Sequence, residues 1–269
     1  MSQARTHFIL IAILFAAPAW GQSNPPGSKR SEFHLYLLAG QSNMAGRGKV
    51  ESQDQVAHSR VFVLSKSNQW KPAIDPLHFD KSVAGVGLGK TFGEIIAEAN
   101  PDVVIGLIPC AVGGSPIDSW TPGGYHPQTK THPYDDCLAR VEIALKDGVL
   151  KGILWHQGES DANAEKSASY QEKLQQLVRR LRSEVSTSQV PFLVGQMGQF
   201  PERPWDQYRR QVDEAHQSLA KHLPRVAFVT SDGLGHRGDK VHFDSAAYRE
   251  LGKRYAKAYL ELVHQAQKR

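Results

Sequence analysis

Along this chain, apolar runs of strand length alternate with amphipathic runs of helix length. The strand-like runs are Phe33 to Ala39, Val61 to Leu64, Val103 to Pro109, Leu150 to His156, Pro191 to Met197 and Val226 to Val229, most of them rich in Val, Ile and Leu. Between them, apolar residues recur at three-to-four spacing over Thr91 to Ala99, Asp135 to Lys146, Ser167 to Val185, Trp205 to Lys221 and Ser245 to His264. This alternation predicts an α/β fold, a parallel sheet with helices on both faces. Ser167 or Ser169 can start the third helix, Asp244 or Ser245 the last, and Asn100-Pro101 stops the first. No repeat or linker-like stretch interrupts the pattern, so residues 31–269 read as one domain.

The first residues follow a different rule. Arg5 and His7 precede Phe8 to Ala17, an apolar run too short to span a bilayer comfortably. Residues 1–21 therefore read as a signal peptide, with Ala17-Pro18-Ala19 and Ala19-Trp20-Gly21 both acceptable at the cleavage point, and residues 22–30 as a polar spacer. The mature protein is then secreted or periplasmic with no membrane span; an uncleaved amino-terminal anchor is the alternative.

Composition narrows the partners. A chain of 269 residues buries enough apolar surface to fold without staples, and its two cysteines, Cys110 and Cys137, could form a disulfide that an oxidising compartment permits without requiring. Lys plus Arg number 32 against 27 Asp plus Glu, an excess spread along the chain with no basic tract interleaved with aromatics, which argues against nucleic acid.

Candidate chemistry gathers where the strand-like runs end. After Phe33 to Ala39 comes Gly40-Gln41-Ser42-Asn43-Met44-Ala45-Gly46, and in a parallel sheet a hydroxyl at a strand's carboxyl end faces a ligand crevice. Alone, Ser42 would more often be an N-cap than a nucleophile. Just before the final helix, Asp239 stands three residues ahead of His242, a spacing that lets the carboxylate fix the imidazole tautomer a general base needs. After Leu150 to Leu154 comes Trp155-His156-Gln157-Gly158-Glu159-Ser160-Asp161, in which the Gln157 amide is a suitable oxyanion donor without titratable charge, or simply a tie between loops. Pro109 to Ile117 contains Gly113-Gly114-Ser115, glycines that allow a backbone N–H close approach to a reacting atom or just serve a tight turn.

Two other patterns compete. Ala84 to Thr91 approaches a phosphate-binding loop, but Ala84 stands where its first Gly should be and no strand precedes it, so nucleotide binding is not expected. Asp239, His242 and Asp244 with His126 or His132 could hold a metal, but no HExxH or cysteine pairing supports one.

In this order, the four blocks resemble those of the sialate O-acetylesterase and acetylxylan esterase group, carbohydrate esterase family 6 of the SGNH hydrolases, over nearly all of the mature chain. The resemblance implies a flavodoxin-like three-layer α/β/α sandwich, Ser42 as nucleophile, His242 as base and Asp239 as its orienter. It also implies an oxyanion hole from the Ser42 and Gly114 N–H groups, completed by a third-block side chain, for which Gln157 stands where the wider superfamily has Asn. Glu159 is an alternative acid partner for the histidine in this group. No metal or organic cofactor is implied, and the expected partner is an acetylated carbohydrate: xylan, sialic acid or a similar glycan. Gln41 and, in the long Gly-, Pro- and His-rich loop, Trp120 and Tyr125 are candidates for substrate contact, with His126 and Tyr134 nearby; the aromatics either face the sugar or anchor the loop. A lipid or thioester hydrolase on the same fold, and a catalytically silent carbohydrate-binding protein, are the competing readings.

Overall fold

A computed structural model describes residues 29–185 and 189–267. The proposed signal peptide and all but the last two residues of the spacer lie outside these. Seven strands form one sheet: β1 (Phe33–Gly40), β2 (Val61–Leu64), β3 (Trp70–Pro72), β4 (Val104–Pro109), β5 (Val149–His156), β6 (Phe192–Gly195) and β7 (Val226–Val229). Their order is β3-β2-β4-β1-β5-β6-β7, and every pairing is parallel except β2 with β3. The six expected strands are present within a residue or two. The additional β3 is a three-residue edge strand whose Lys71 and Pro72 are exposed, too short and polar to register as an apolar run.

The helices are α1 (Ser42–Ala45), α2 (Gly89–Ala99), α3 (Pro133–Leu145), α4 (Ser167–Glu184), α5 (Gln207–His222) and α6 (Ser245–Gln267). Side chains of β1 point alternately to two cores, as a pleated strand requires. Phe33, Leu35, Leu37 and Ala39 join α3, α4 and α5 through residues such as Val141, Leu174, Leu177 and Val212. Tyr36 and Leu38 join α2 and α6 through Phe92, Ile96, Tyr255 and Tyr259. The protein is thus a three-layer sandwich with β1 buried on both faces. The Asp244 side chain accepts from the Ala247 N–H at 2.8 Å and caps α6 as expected.

The winding places the crevice. From β1 the chain first builds β2, β3 and β4 on one side, then crosses to β5 and continues outward through β6 and β7. The carboxyl ends of β4, β1 and β5 therefore adjoin where the winding reverses, the point at which open α/β sheets bind ligands.

Candidate active site

At the end of β1, Gly40 has φ +131°, and a Cβ there would lie 2.2 Å from the His156 carbonyl oxygen on β5. Only glycine allows this close approach. The Gln41 N–H donates to that same carbonyl at 2.9 Å, and Ser42 opens α1 with 7% of its surface exposed.

His242 reaches Ser42 from the opposite end of the chain. Lys240, at φ +57°, reverses the backbone between Asp239 and His242. One Asp239 oxygen accepts from the N–H groups of Val241 (3.0 Å) and His242 (2.8 Å), while the other is 2.7 Å from His242 Nδ1. His242 Nε2 lies 2.9 Å from Ser42 Oγ. With the Nδ1 proton on the carboxylate side, Nε2 carries the lone pair that faces the Ser42 hydroxyl. Partial burial works against ionisation of Asp239, but the hydrogen bonds from the His242 backbone and ring and from Val241 outweigh it and hold the carboxyl below its ordinary value. The adjacent Phe243 is fully buried, edge-on to His156, Phe200 and Tyr248, and anchors the histidine loop.

Neither the Ser42 nor the Gly114 N–H meets an acceptor among the described residues, whereas the intervening loop amides do: Val112 N–H donates to Gly40 and Gly113 N–H to Asp80. Gly114 has φ +86°.

Gln157 requires a correction. Its amide is fully buried, with Nε2 donating to the Ser115 carbonyl and to Asp161 while Oε1 accepts from Tyr170 Oη at 2.8 Å. Both amide hydrogens are spent, so none remains for an oxyanion. Gln41 is placed differently: its Oε1 accepts from the Gly158 and Ser160 N–H groups, and its Nε2 has no acceptor among the described residues. Glu159 does not bond His242. Its Oε1 accepts from Asn43 Nδ2 at 2.6 Å, its Oε2 is buried without a partner among the described residues, and burial raises its carboxyl above the usual range.

The aromatic loop also divides. Trp120 is fully buried, edge-on to Trp155 at 5.0 Å with its indole N–H on Ser115 Oγ, and Tyr134 is buried as well. Both anchor the loop, and neither is available to a sugar. Tyr125 is 49% exposed and packs against His132; His126 is buried with Nδ1 on Thr129 Oγ1. Cys110 and Cys137 are buried neighbours present as free thiols. The near phosphate loop braces the turn that follows Ser42, with Gly85 and Val86 N–H donating to the Gly46 and Gly48 carbonyls.

Two contributors were not legible beforehand. Asn43 joins Glu159 and the Val241 carbonyl on one side to the Phe243 N–H and Tyr248 Oη on the other. Asp80 pairs with Arg47 in the interior. Asn43 stood beside Ser42 in the motif; Asp80 carried no local signal.

A serine, histidine and carboxylate in line at the carboxyl edge of a parallel sheet is an arrangement that serine hydrolases use for acyl transfer. Residues 32–261 match the family described as carbohydrate esterase, sialic acid-specific acetylesterase, and the chain belongs to that family. It is 31% identical to a probable carbohydrate esterase from Arabidopsis thaliana, over 89% of this chain and 98% of that one. The crystal structure of an Arabidopsis thaliana protein superposes with a TM-score of 0.75 at 31% identity, covering 85% of this chain and 98% of that one. NanS shares the fold at a TM-score of 0.68 and 18% identity over 88% and 99% of the two chains. A carbohydrate acetylesterase from Xanthomonas citri shares it at 0.67 and 22% over 86% and 57%. The protein is an α/β carbohydrate esterase. Among the described residues, no helix is long and apolar enough to cross a membrane.

Proposed function

We propose that this enzyme removes O-acetyl groups from carbohydrates by two-step acyl transfer, with Ser42 as nucleophile, His242 as base and Asp239 as orienter. The unbroken contact chain from Asp239 through His242 Nδ1 and Nε2 to Ser42 Oγ carries this reading. Ser42 Oγ attacks the acetyl carbonyl as its proton passes to His242 Nε2. The oxyanion is held by the Ser42 and Gly114 N–H groups, and Gln41, rather than Gln157, supplies the side-chain amide. The imidazolium then protonates the departing sugar oxygen, and water, deprotonated by His242, cleaves the acetyl-enzyme to acetate. Family membership supports the acetyl group; acetylated xylan and sialic acids are the substrates to try first, with Tyr125 as the exposed aromatic on the sugar side. We assign residues 1–21 as a signal peptide and 31–269 as one catalytic domain, placing the reaction outside the cytosol.

The test measures acetate release from acetylated xylan, sialic acids and pectin, and hydrolysis of p-nitrophenyl acetate, by wild type, Ser42→Ala and His242→Ala. One glycan is expected to be preferred, and each substitution should lower kcat by about 10^4- to 10^6-fold. Activity surviving in Ser42→Ala overturns the mechanism, preference for long acyl chains overturns the substrate class, and glycan binding without acetate release makes the protein a binder.

A further inference from the structure

The strongest feature outside the assigned triad is a buried ion pair. Asp80 lies between β3 and α2, and Arg47 follows the turn that closes α1. Arg47 Nη2 and Asp80 Oδ2 are 2.7 Å apart, with side chains only 4% and 2% exposed. The same Oδ2 accepts from the Gly113 N–H at 2.8 Å. Arg47 Nη1 donates to the Gly46 carbonyl at 2.7 Å, and the Arg47 carbonyl accepts from Arg237 Nη1 at 2.8 Å. Arg237 stands two residues before Asp239, with its Nε 3.7 Å from that carboxylate. One pair thus joins the nucleophile turn, the second-block loop and the approach to the histidine.

We propose that Asp80 is a positioning residue for the oxyanion hole, holding the second-block loop so that the Gly114 N–H points at the site the Ser42 N–H also serves. This rests on the Ser42 acyl-transfer reading above. The loop is pinned at two successive amides, Val112 to the end of β1 at 2.9 Å and Gly113 to Asp80, and the next amide, Gly114, has no acceptor among the described residues. A Cβ on Gly113 would lie 2.3 Å from Arg47 Nη2 and 2.7 Å from Asp80 Oδ2, so the contact requires a residue without a side chain. A buried ion pair is a poor stabiliser compared with an apolar pair of similar volume, because desolvation offsets the attraction. Its distinctive contribution here is direction: a charge that accepts from a guanidinium and a loop amide at once fixes both.

The experiment uses the full-length enzyme and counts competent sites by the end-point of Ser42 labelling with a fluorophosphonate, so that kcat refers to folded molecules. Asp80→Asn keeps the shape but turns an amide N–H₂ toward Arg47. Its kcat on p-nitrophenyl acetate is expected to fall about 10- to 100-fold with KM within twofold, and inhibition by phenylboronic acid, whose tetrahedral adduct occupies the oxyanion hole, should weaken by the same factor. The double variant Arg47→Met/Asp80→Leu restores an apolar fit; its melting temperature should return to near wild type while kcat stays low. If kcat recovers along with melting temperature, or if Asp80→Asn keeps wild-type kcat per labelled serine, the positioning role is wrong. Ser42→Ala run alongside separates the two claims, since activity surviving there breaks the acyl-transfer reading itself, while a dead Ser42→Ala beside a fully active Asp80→Asn breaks only this one.

Discussion

The histidine loop and the buried nest beneath the third block use the same side chains to opposite ends. In the loop, Asp239 and His242 have side chains 39% and 23% exposed, and three hydrogen bonds hold the carboxyl in its ionised form. In the nest, Gln157, Asp161, Tyr170 and His216 bond one another out of reach of water, with Tyr170 Oη 2.9 Å from His216 Nε2. Burial there pushes the Asp161 carboxyl up to about 6 and the His156 and His216 imidazoles down to about 3. An Asp and a His thus form a partly exposed pair beside Ser42 or a buried framework beneath it according to solvation and partners, not according to type.

That contrast breaks most visibly at Asp239. Asp239→Asn keeps the loop bonds through its remaining oxygen but offers an N–H₂ to His242 Nδ1, selecting the wrong tautomer, and kcat is expected to drop by about 10^4-fold with the fold intact. Steady-state kinetics beside a melting curve checks this; loss of fold together with activity would make Asp239 framework as well.

Asp161 tests the other side. Its folded value of about 6 exceeds the ordinary 3.8, so the folded protein holds that proton more tightly than the unfolded chain. The resulting stability is complete below about pH 4 and is lost as pH rises through 6, roughly 3 kcal/mol in all. Asp161→Asn should remove that slope, so that its unfolding free energy gains on wild type by about this amount between pH 4 and 7. A constant difference across that range sinks the assignment.

The smallest effect is expected at Tyr125. Tyr125→Ala should raise KM for an acetylated glycan by an amount worth about 0.5 to 1.5 kcal/mol and leave p-nitrophenyl acetate untouched. Equal changes on both substrates would place the ring outside the sugar side.

The sequence displayed the layers and the four blocks because each is written in consecutive residues: an apolar run buried on both faces ends abruptly in glycine and polar groups. What it could not display was the direction of individual side chains. Gln157 has the right chemistry for an oxyanion donor, yet the Ser115 carbonyl, Asp161 and Tyr170 together claim its whole amide from three other segments of the chain. Trp120 sits in a polar loop but packs on Trp155. Arg47, Asp80 and Gly113 come from three separate segments, and only the folded sheet makes them neighbours.

Ser42 lies two residues past the end of the central strand, and His242 lies 200 residues further along. At translation rates of about 5 to 20 residues per second, roughly 10 to 40 seconds separate the synthesis of the two. Through that interval Ser42 has been made but has no partner to take its proton. Under the proposed mechanism the growing chain is therefore silent toward esters, and the hydroxyl becomes a nucleophile only once the turn that carries His242 has been made and can dock.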